Sequence, residues 1–371
     1  MTAFIKDKIS RIDPIIFICT TLLSLISIVV LIGARESEFG GTRTIIMQIA
    51  MTALGLLIMV LLANVDFSNV PAWFFFFVYA LSAVLLVLLL FVGENAGENI
   101  NWIKVPIINI SIQPSEFVRA SFILTFAKHL SIVKDEINRP KNVLLLALHA
   151  AGILGLLLIT GDLGMVLVYV GIMLVMLFCA GFSVWYFLAG AAAAVLAFPF
   201  LWDFLAEYQK KRILVGFNPD IDPFDKGLQQ IQSRTAIAGG GFFGRGIDGA
   251  GSFENMYGCV TDFFFSSYSE MFGFLGSLVL IAIMAVLVIR LVILACRSRD
   301  SFSAFLLAGV AGMIVVQTVE NIGMCLCLLP VVGITLPFLS AGGSSVLSIY
   351  MIIGIAHAAS GNSSRTSKRL I

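Results

Sequence analysis

The chain has 371 residues, 59% of them hydrophobic and only 12% charged, with a net charge of +1 and a mean hydropathy of +1.02. Soluble domains carry roughly 25% charged residues, so this composition excludes a soluble globular enzyme and describes an all-α polytopic membrane protein. The near-neutral balance identifies no partner, and no basic run interleaved with aromatics points to nucleic acid, so none is expected.

Apolar runs of about twenty residues, enough to cross a hydrocarbon core, predict spans from Pro14 to Gly33, Thr44 to Ala63 and Pro71 to Val92. The first run is too long for a cleaved signal peptide and has no small-residue cleavage site after it, so it is read as a retained helix. The next segment, Pro114 to Leu130, carries Glu116 and Arg119 and therefore predicts a helix facing protein rather than lipid. Their i, i+3 spacing fits an ion pair, read either as mutual neutralisation or as a polar floor beneath a substrate cavity. Spans follow at Val143 to Thr160, Leu163 to Ala180 and Val184 to Leu201. A polar, glycine-rich loop occupies residues 202–265, with aromatic and aliphatic residues enough to fold over the membrane face. Spans at Phe272 to Leu294, Phe302 to Leu329 and Leu336 to Ile355 bring the total to about ten, in a single domain of residues 1–371 with the loop between the seventh and eighth spans.

Ten spans put both termini on one side. Short-loop cations on that side, including Lys6, Lys8, Lys134, Arg139, Lys141 and Arg297, mark it as cytoplasmic and the long loop as external. Cysteines lie mostly within spans, and Cys325 and Cys327 would point apart on a helix, so a shared metal is not expected. His129, His149 and His357 suggest no ligand set.

The loop supplies cations, Arg212 and Arg234 among them, and a cluster of glycines from Gly239 to Gly246. Those glycines fit either a backbone cradle for a phosphate or plain turning and packing. The G-x-G-x-x-G spacing lacks the βαβ context of a dinucleotide site and is rejected on that ground. Carboxylates form a second constellation: Asp162 at the end of a span, Asp262 where the loop returns to the membrane, and Glu270. A carboxylate at a membrane boundary is costly unless paired or wet, which makes each a functional candidate. For Glu270 an ion pair with Arg212 or Arg234 is the favoured reading. Glu320 and Asn321 are further polar residues in a late span, with no partner assigned.

Gln113, Pro114, Ser115 and Glu116 form a QPSE motif, followed in order by Asp162, Leu163, Gly164; Gln209 with Arg212; Asn218, Pro219 with Asp222, Pro223; and Gln232, Ser233 with Ala236, Ile237. Gly240 to Gly246, then Thr261, Asp262, Phe263, then Asn321, Ile322, Gly323, and finally Pro330, Gly333, Leu336, Pro337, Ser340 and Gly342 to Ser345 complete the series. On these blocks the chain resembles the SEDS family, the shape, elongation, division and sporulation proteins, which includes the RodA and FtsW types; the RodA type is the one it is read as most like.

The resemblance implies a peptidoglycan glycosyltransferase that polymerises lipid II, undecaprenyl-pyrophosphate disaccharide pentapeptide, at the outer face of the bacterial cytoplasmic membrane. It implies a class B penicillin-binding protein as partner, and Asp262 as the catalytic base. Substrate contacts are expected from Arg212, Arg234, Gln232, Ser233, Glu116, Arg119, Asp162 and Ser344. No protein metal site is assigned; a divalent cation such as Mg²⁺ could sit between Asp262 and the pyrophosphate. Departures from the usual family pattern fall at Arg119, Gly161, Val260, Ser269 and Ala341. Two alternatives carry distinct expectations: a lipid II flippase that works without Asp262, and a non-catalytic scaffold that activates the penicillin-binding protein. The matching blocks do not separate elongation, division and sporulation roles.

Overall fold

In the computed structural model of the protein, the described residues are 12–37, 40–67, 70–96, 99–105, 110–204, 207–225 and 227–368. The side chains of 94–96, 99, 105, 110, 201, 204, 208, 209, 212 and 362–368 stand outside that description. The helices are α1 Pro14–Gly33, α2 Thr42–Leu62, α3 Ala72–Val92, α4 Pro114–Val133, α5 Pro140–Ile159, α6 Leu163–Cys179 and α7 Val184–Phe204. They continue with α8 Glu207–Phe217, α9 Leu228–Gly239, α10 Phe264–Arg297, α11 Ser301–Cys325 and α12 Gly343–Lys368.

Local sequence starts these helices where expected. Proline opens α1, α4 and α5, where its missing N–H costs nothing. The carboxylates of Asp13, Asp162 and Asp300 accept first-turn N–H bonds at α1, α6 and α11.

Among the described residues seven helices, α1, α2, α3, α5, α10, α11 and α12, are long and apolar enough to cross a membrane. The shorter apolar helices α6 and α7 and the charged α4 join them, which accounts for the ten predicted spans. The protein is an integral membrane protein.

Burial decides which helices form the centre. About three quarters of the apolar windows of α11 and α12 are buried, against less than half for α1 and under a quarter for α2, α3, α5 and α10. Glu116 and Arg119 keep α4 at that centre, because lipid offers their charges nothing. Small residues let helices approach closely, as lipid-embedded packing requires. A Cβ at Gly55 of α2 would come within 2.6 Å of the Tyr350 ring on α12.

Three elements differ from the sequence expectations. Residues between α3 and α4 form a three-stranded antiparallel sheet, β1 Glu94–Ala96, β2 Asn99–Val105 and β3 Ile110–Ile112. The eighth predicted span begins earlier: α10 runs from Phe264 and breaks at Gly273 (φ 68°, ψ −166°), so the expected start near Phe272 marks the kink rather than the first turn. The tenth begins later, at Gly343, because residues 330–342 form an extended and turned segment through Pro330 and Pro337.

Candidate active site

At one end of the bundle, between α9 and α10, residues 250–263 form a series of turns that deliver Asp262 to the rim. The segment is held mainly through its backbone. Asn321 Nδ2 of α11 donates to the Asp262 carbonyl at 2.7 Å and to the Ile334 carbonyl at 2.7 Å. Ser340 Oγ donates to the Thr261 carbonyl at 2.5 Å, and Ala341 N donates to the Val260 carbonyl at 2.8 Å. The Asp262 side chain stays half-buried, its Oδ2 3.6 Å from the position a Cβ would take at Gly333 (φ 71°). Glycine leaves the carboxylate room there.

Beside this turn lies a cavity of about 280 Å³ lined by Arg43, Thr44, Gln48, Thr261, Gly342 and Gly343, with Met47, Val260 and Ala341. Its wall includes the first turn of α12, whose orphan N–H groups carry the positive end of a 26-residue helix. A cation and a helix N-terminus are thus placed one residue from Asp262.

A second polar group lies deeper, between α4, α6 and α12. Asp162 Oδ2 accepts from Gln113 Nε2 and from Ser115 Oγ, both at 3.4 Å, while Oδ1 caps α6 through Met165 N. Burial raises the Asp162 pKa, and the bonds from Met165 and Gln113 offset part of that. Glu116 and Arg119 pair at 2.5 Å, and Ser348 of α12 bonds both, at 3.0 and 3.2 Å. Adjacent serines at the start of α12 join the two groups: Ser344 Oγ accepts from Gln113 N at 3.2 Å, and Ser345 Oγ meets Thr335 Oγ1 at 2.9 Å.

A family model described as cell cycle protein, FtsW/RodA/SpoVE, matches residues 11–365. This chain belongs to that family, the SEDS proteins. It is 33% identical over 362 residues to stage V sporulation protein E of Bacillus subtilis (strain 168), covering 92% of this chain and 95% of the relative. It is 30% identical to the peptidoglycan glycosyltransferase MrdB of Escherichia coli (strain K12), covering 94% and 93%. A chain of a solved peptidoglycan synthase complex, described as coordinating polymerization and crosslinking, superposes with a TM-score of 0.78 at 28% identity, covering 94% of this chain and 98% of that one. The rod shape determining protein RodA of Thermus thermophilus gives 0.70 at 25% identity, covering 93% and 95%.

Within this SEDS chain the sequence-predicted residues divide by place. Asp162, Glu116, Arg119 and Ser344 converge in the deeper network, while Asp262 sits at the rim. Arg234 is exposed on α9 and pairs with Asp220 at 3.7 Å. Gln232 is half-buried on the same helix. Ser233 is fully buried, its hydroxyl bonded to Ser266 Oγ at 2.5 Å and to the Cys325 carbonyl at 2.7 Å, so it ties α9 to α10 and α11. Arg212 falls in α8, with its side chain outside the described residues.

The geometry bears on two readings of the loop. Among the described side chains Glu270 pairs with Arg245 at 3.3 Å and takes N–H bonds from Gly251 and Ser252, while Arg234 pairs with Asp220. Much of the glycine run packs against α10, where several of its backbone groups are spent internally. Arg245 N and Gly246 N bond the Glu270 and Met271 carbonyls, Gly244 N bonds Gly240, and the carbonyls of Gly241 and Phe242 receive Phe274 N and Leu275 N.

The SEDS motifs include Asn321, Gly333 and Ser340, but their role as restraints on Asp262 is not visible in the sequence. Arg43 is not singled out by the sequence as a site residue, since a single short-loop arginine reads only as a topology marker.

Proposed function

We propose that this protein is a peptidoglycan glycosyltransferase that polymerises lipid II in the bacterial cytoplasmic membrane, with both termini cytoplasmic. The observation that carries the reading is the placement of the Asp262 carboxylate on a restrained turn beside a cavity with a cation and a helix N-terminus. Glycosyl transfer from a lipid pyrophosphate needs that combination: a base for the incoming hydroxyl and fixed positive charge for the departing oxygens.

Asp262 takes the proton of the acceptor sugar's 4-hydroxyl as that oxygen forms a bond to the donor's anomeric carbon. The bond from that carbon to the pyrophosphate breaks in the same displacement, and the anomeric configuration inverts with no covalent sugar intermediate. Negative charge develops on undecaprenyl pyrophosphate, where Arg43 and the first turn of α12 can meet it. Arg234 and Gln232 of α9 are assigned to the acceptor, and Arg212 of α8 is kept as a further candidate contact. The Glu116, Arg119, Asp162 and Ser344 network underlies the site and fixes the start of α12. Among the described residues no three His, Cys, Asp or Glu side chains converge on a metal position. A divalent cation that assists would take its oxygen ligands from Asp262 and the substrate phosphates.

The likeness to a chain of a peptidoglycan synthase complex supports a class B penicillin-binding protein as the partner that crosslinks the strands. The test is the ladder of glycan strands made from labelled lipid II by purified protein. Asp262→Asn should lower strand synthesis by about 100-fold or more. Undiminished synthesis by the variant would remove Asp262 from the chemistry.

A further inference from the structure

We infer that Asn321 is a positioning residue for glycosyl transfer, setting the direction of the Asp262 carboxylate through the backbone. The inference rests on the proposed role of Asp262 as base.

Asn321 lies in the last turns of α11 and is completely buried. Its Nδ2 reaches two carbonyls that belong to different segments, Asp262 and Ile334, each at 2.7 Å. Asp262 is the residue that would act on substrate. Ile334 follows Gly333, the residue that leaves room beside the carboxylate. One amide therefore fixes both the base and the surface against which it lies. Its Oδ1, by contrast, is buried with no hydrogen-bond partner. A side chain chosen only to fill space would avoid that unsatisfied acceptor, and what an amide supplies here is its pair of donors.

Two further restraints hold the neighbours of Asp262. Ser340 bonds the Thr261 carbonyl and Ala341 N bonds the Val260 carbonyl. Cys325 Sγ lies 3.9 Å from the Asp262 carbonyl and is a weak donor. Asn321 is thus the strong side-chain donor to the peptide of the base among these contacts. Without it the turn can rotate about that peptide and carry the carboxylate away from the acceptor hydroxyl. Misplacement of a reacting group by about 1 Å costs up to about 100-fold in rate.

The test compares Asn321→Leu, Asn321→Ser, Asp262→Asn and the double variant Asn321→Leu/Asp262→Asn in lipid II polymerisation. Asn321→Leu keeps the volume and removes both donors; kcat should fall by about 10-fold to 100-fold while KM stays within about twofold. Asn321→Ser retains one donor and should recover part of kcat. In the double variant the Leu substitution should leave the residual turnover of Asp262→Asn unchanged, since a positioning residue acts only through the group it positions. A wild-type kcat in Asn321→Leu, or a further loss in the double variant equal to that in the single one, would overturn the inference. Should Asn321→Leu fail to fold, Asn321→Ser carries the same comparison, with the same kcat and double-variant criteria. Full activity of Asp262→Asn would instead sink the base assignment, a separate outcome.

Discussion

Two aspartates, 100 positions apart in the chain, occupy different environments and should respond differently to substitution. Asp262 is half-buried at the rim, as the proposed base must be. Asp162 is buried and bonded by Gln113, Ser115 and Met165, and burial lifts its pKa above the usual carboxylate value. A carboxyl whose folded pKa exceeds its unfolded one of about 3.9 binds more protons in the folded state. Its stabilising contribution is full below the unfolded pKa and declines as pH rises through the folded one. Asp162→Asn retains a capping oxygen and removes that decline. Thermal unfolding should therefore show the variant's Tm matching or exceeding wild type near about pH 7.5, with the difference reversing or closing toward about pH 4.5. A variant destabilised more at the higher pH would contradict this assignment. Both aspartates were legible as candidates because a carboxylate at a membrane boundary needs a reason. What separates rim from interior is tertiary, and no local pattern carries it.

Helix packing explains two further sensitivities. Glu116 and Arg119 share α4 and are 3% and 1% exposed, so each is neutralised chiefly by the other and by Ser348. Removing one charge strands the other in low dielectric, at a cost of about 3–5 kcal/mol. Replacing both with apolar side chains of similar size should cost far less. Arg119→Met alone should therefore unfold at a distinctly lower temperature than Arg119→Met combined with Glu116→Leu. Equal losses from the single and double variants would argue against a coupled pair. The kink in α10 is the second case. Gly273 adopts a positive φ, and a Cβ there would lie 2.3 Å from the Gly244 nitrogen. Gly273→Ala should lower Tm through both strain and clash, whereas Gly155→Ala in α5, with open space around it, should hold or raise it by favouring helix. The helices themselves were readable from apolar runs. The sheet from Glu94 to Ile112 was not, although Asn99 to Lys104 carries short strand-like alternation, because its strands are brief and their pairing spans a loop. The late start of α12 escaped as well, since apolar Leu336, Phe338 and Leu339 prolong the hydropathy signal through a non-helical segment.

At the scale of the whole molecule, α4, α6 and α12 bury a polar column that membrane lipid could not accommodate, and the loop between α7 and α10 lies at one end of the bundle. The SEDS motifs, scattered through the sequence, meet at that end: QPSE and Asp162 below, the start of α12 between, and Asp262 above. Their order in the chain was legible, while the layering emerges only from the packing of α4, α6, α11 and α12. An enzyme of this layout should draw lipid II laterally from the leaflet that faces Asp262, with no transport through the column. The most direct measurement uses proteoliposomes holding the protein and a class B penicillin-binding protein, with labelled lipid II supplied only to that leaflet. Glycan strands from wild type, and about 100-fold fewer from Asp262→Asn, are the expected result. No strands from wild type while lipid II binds, or equal strands from both proteins, would contradict the assignment of Asp262 as the base of a glycosyl transfer.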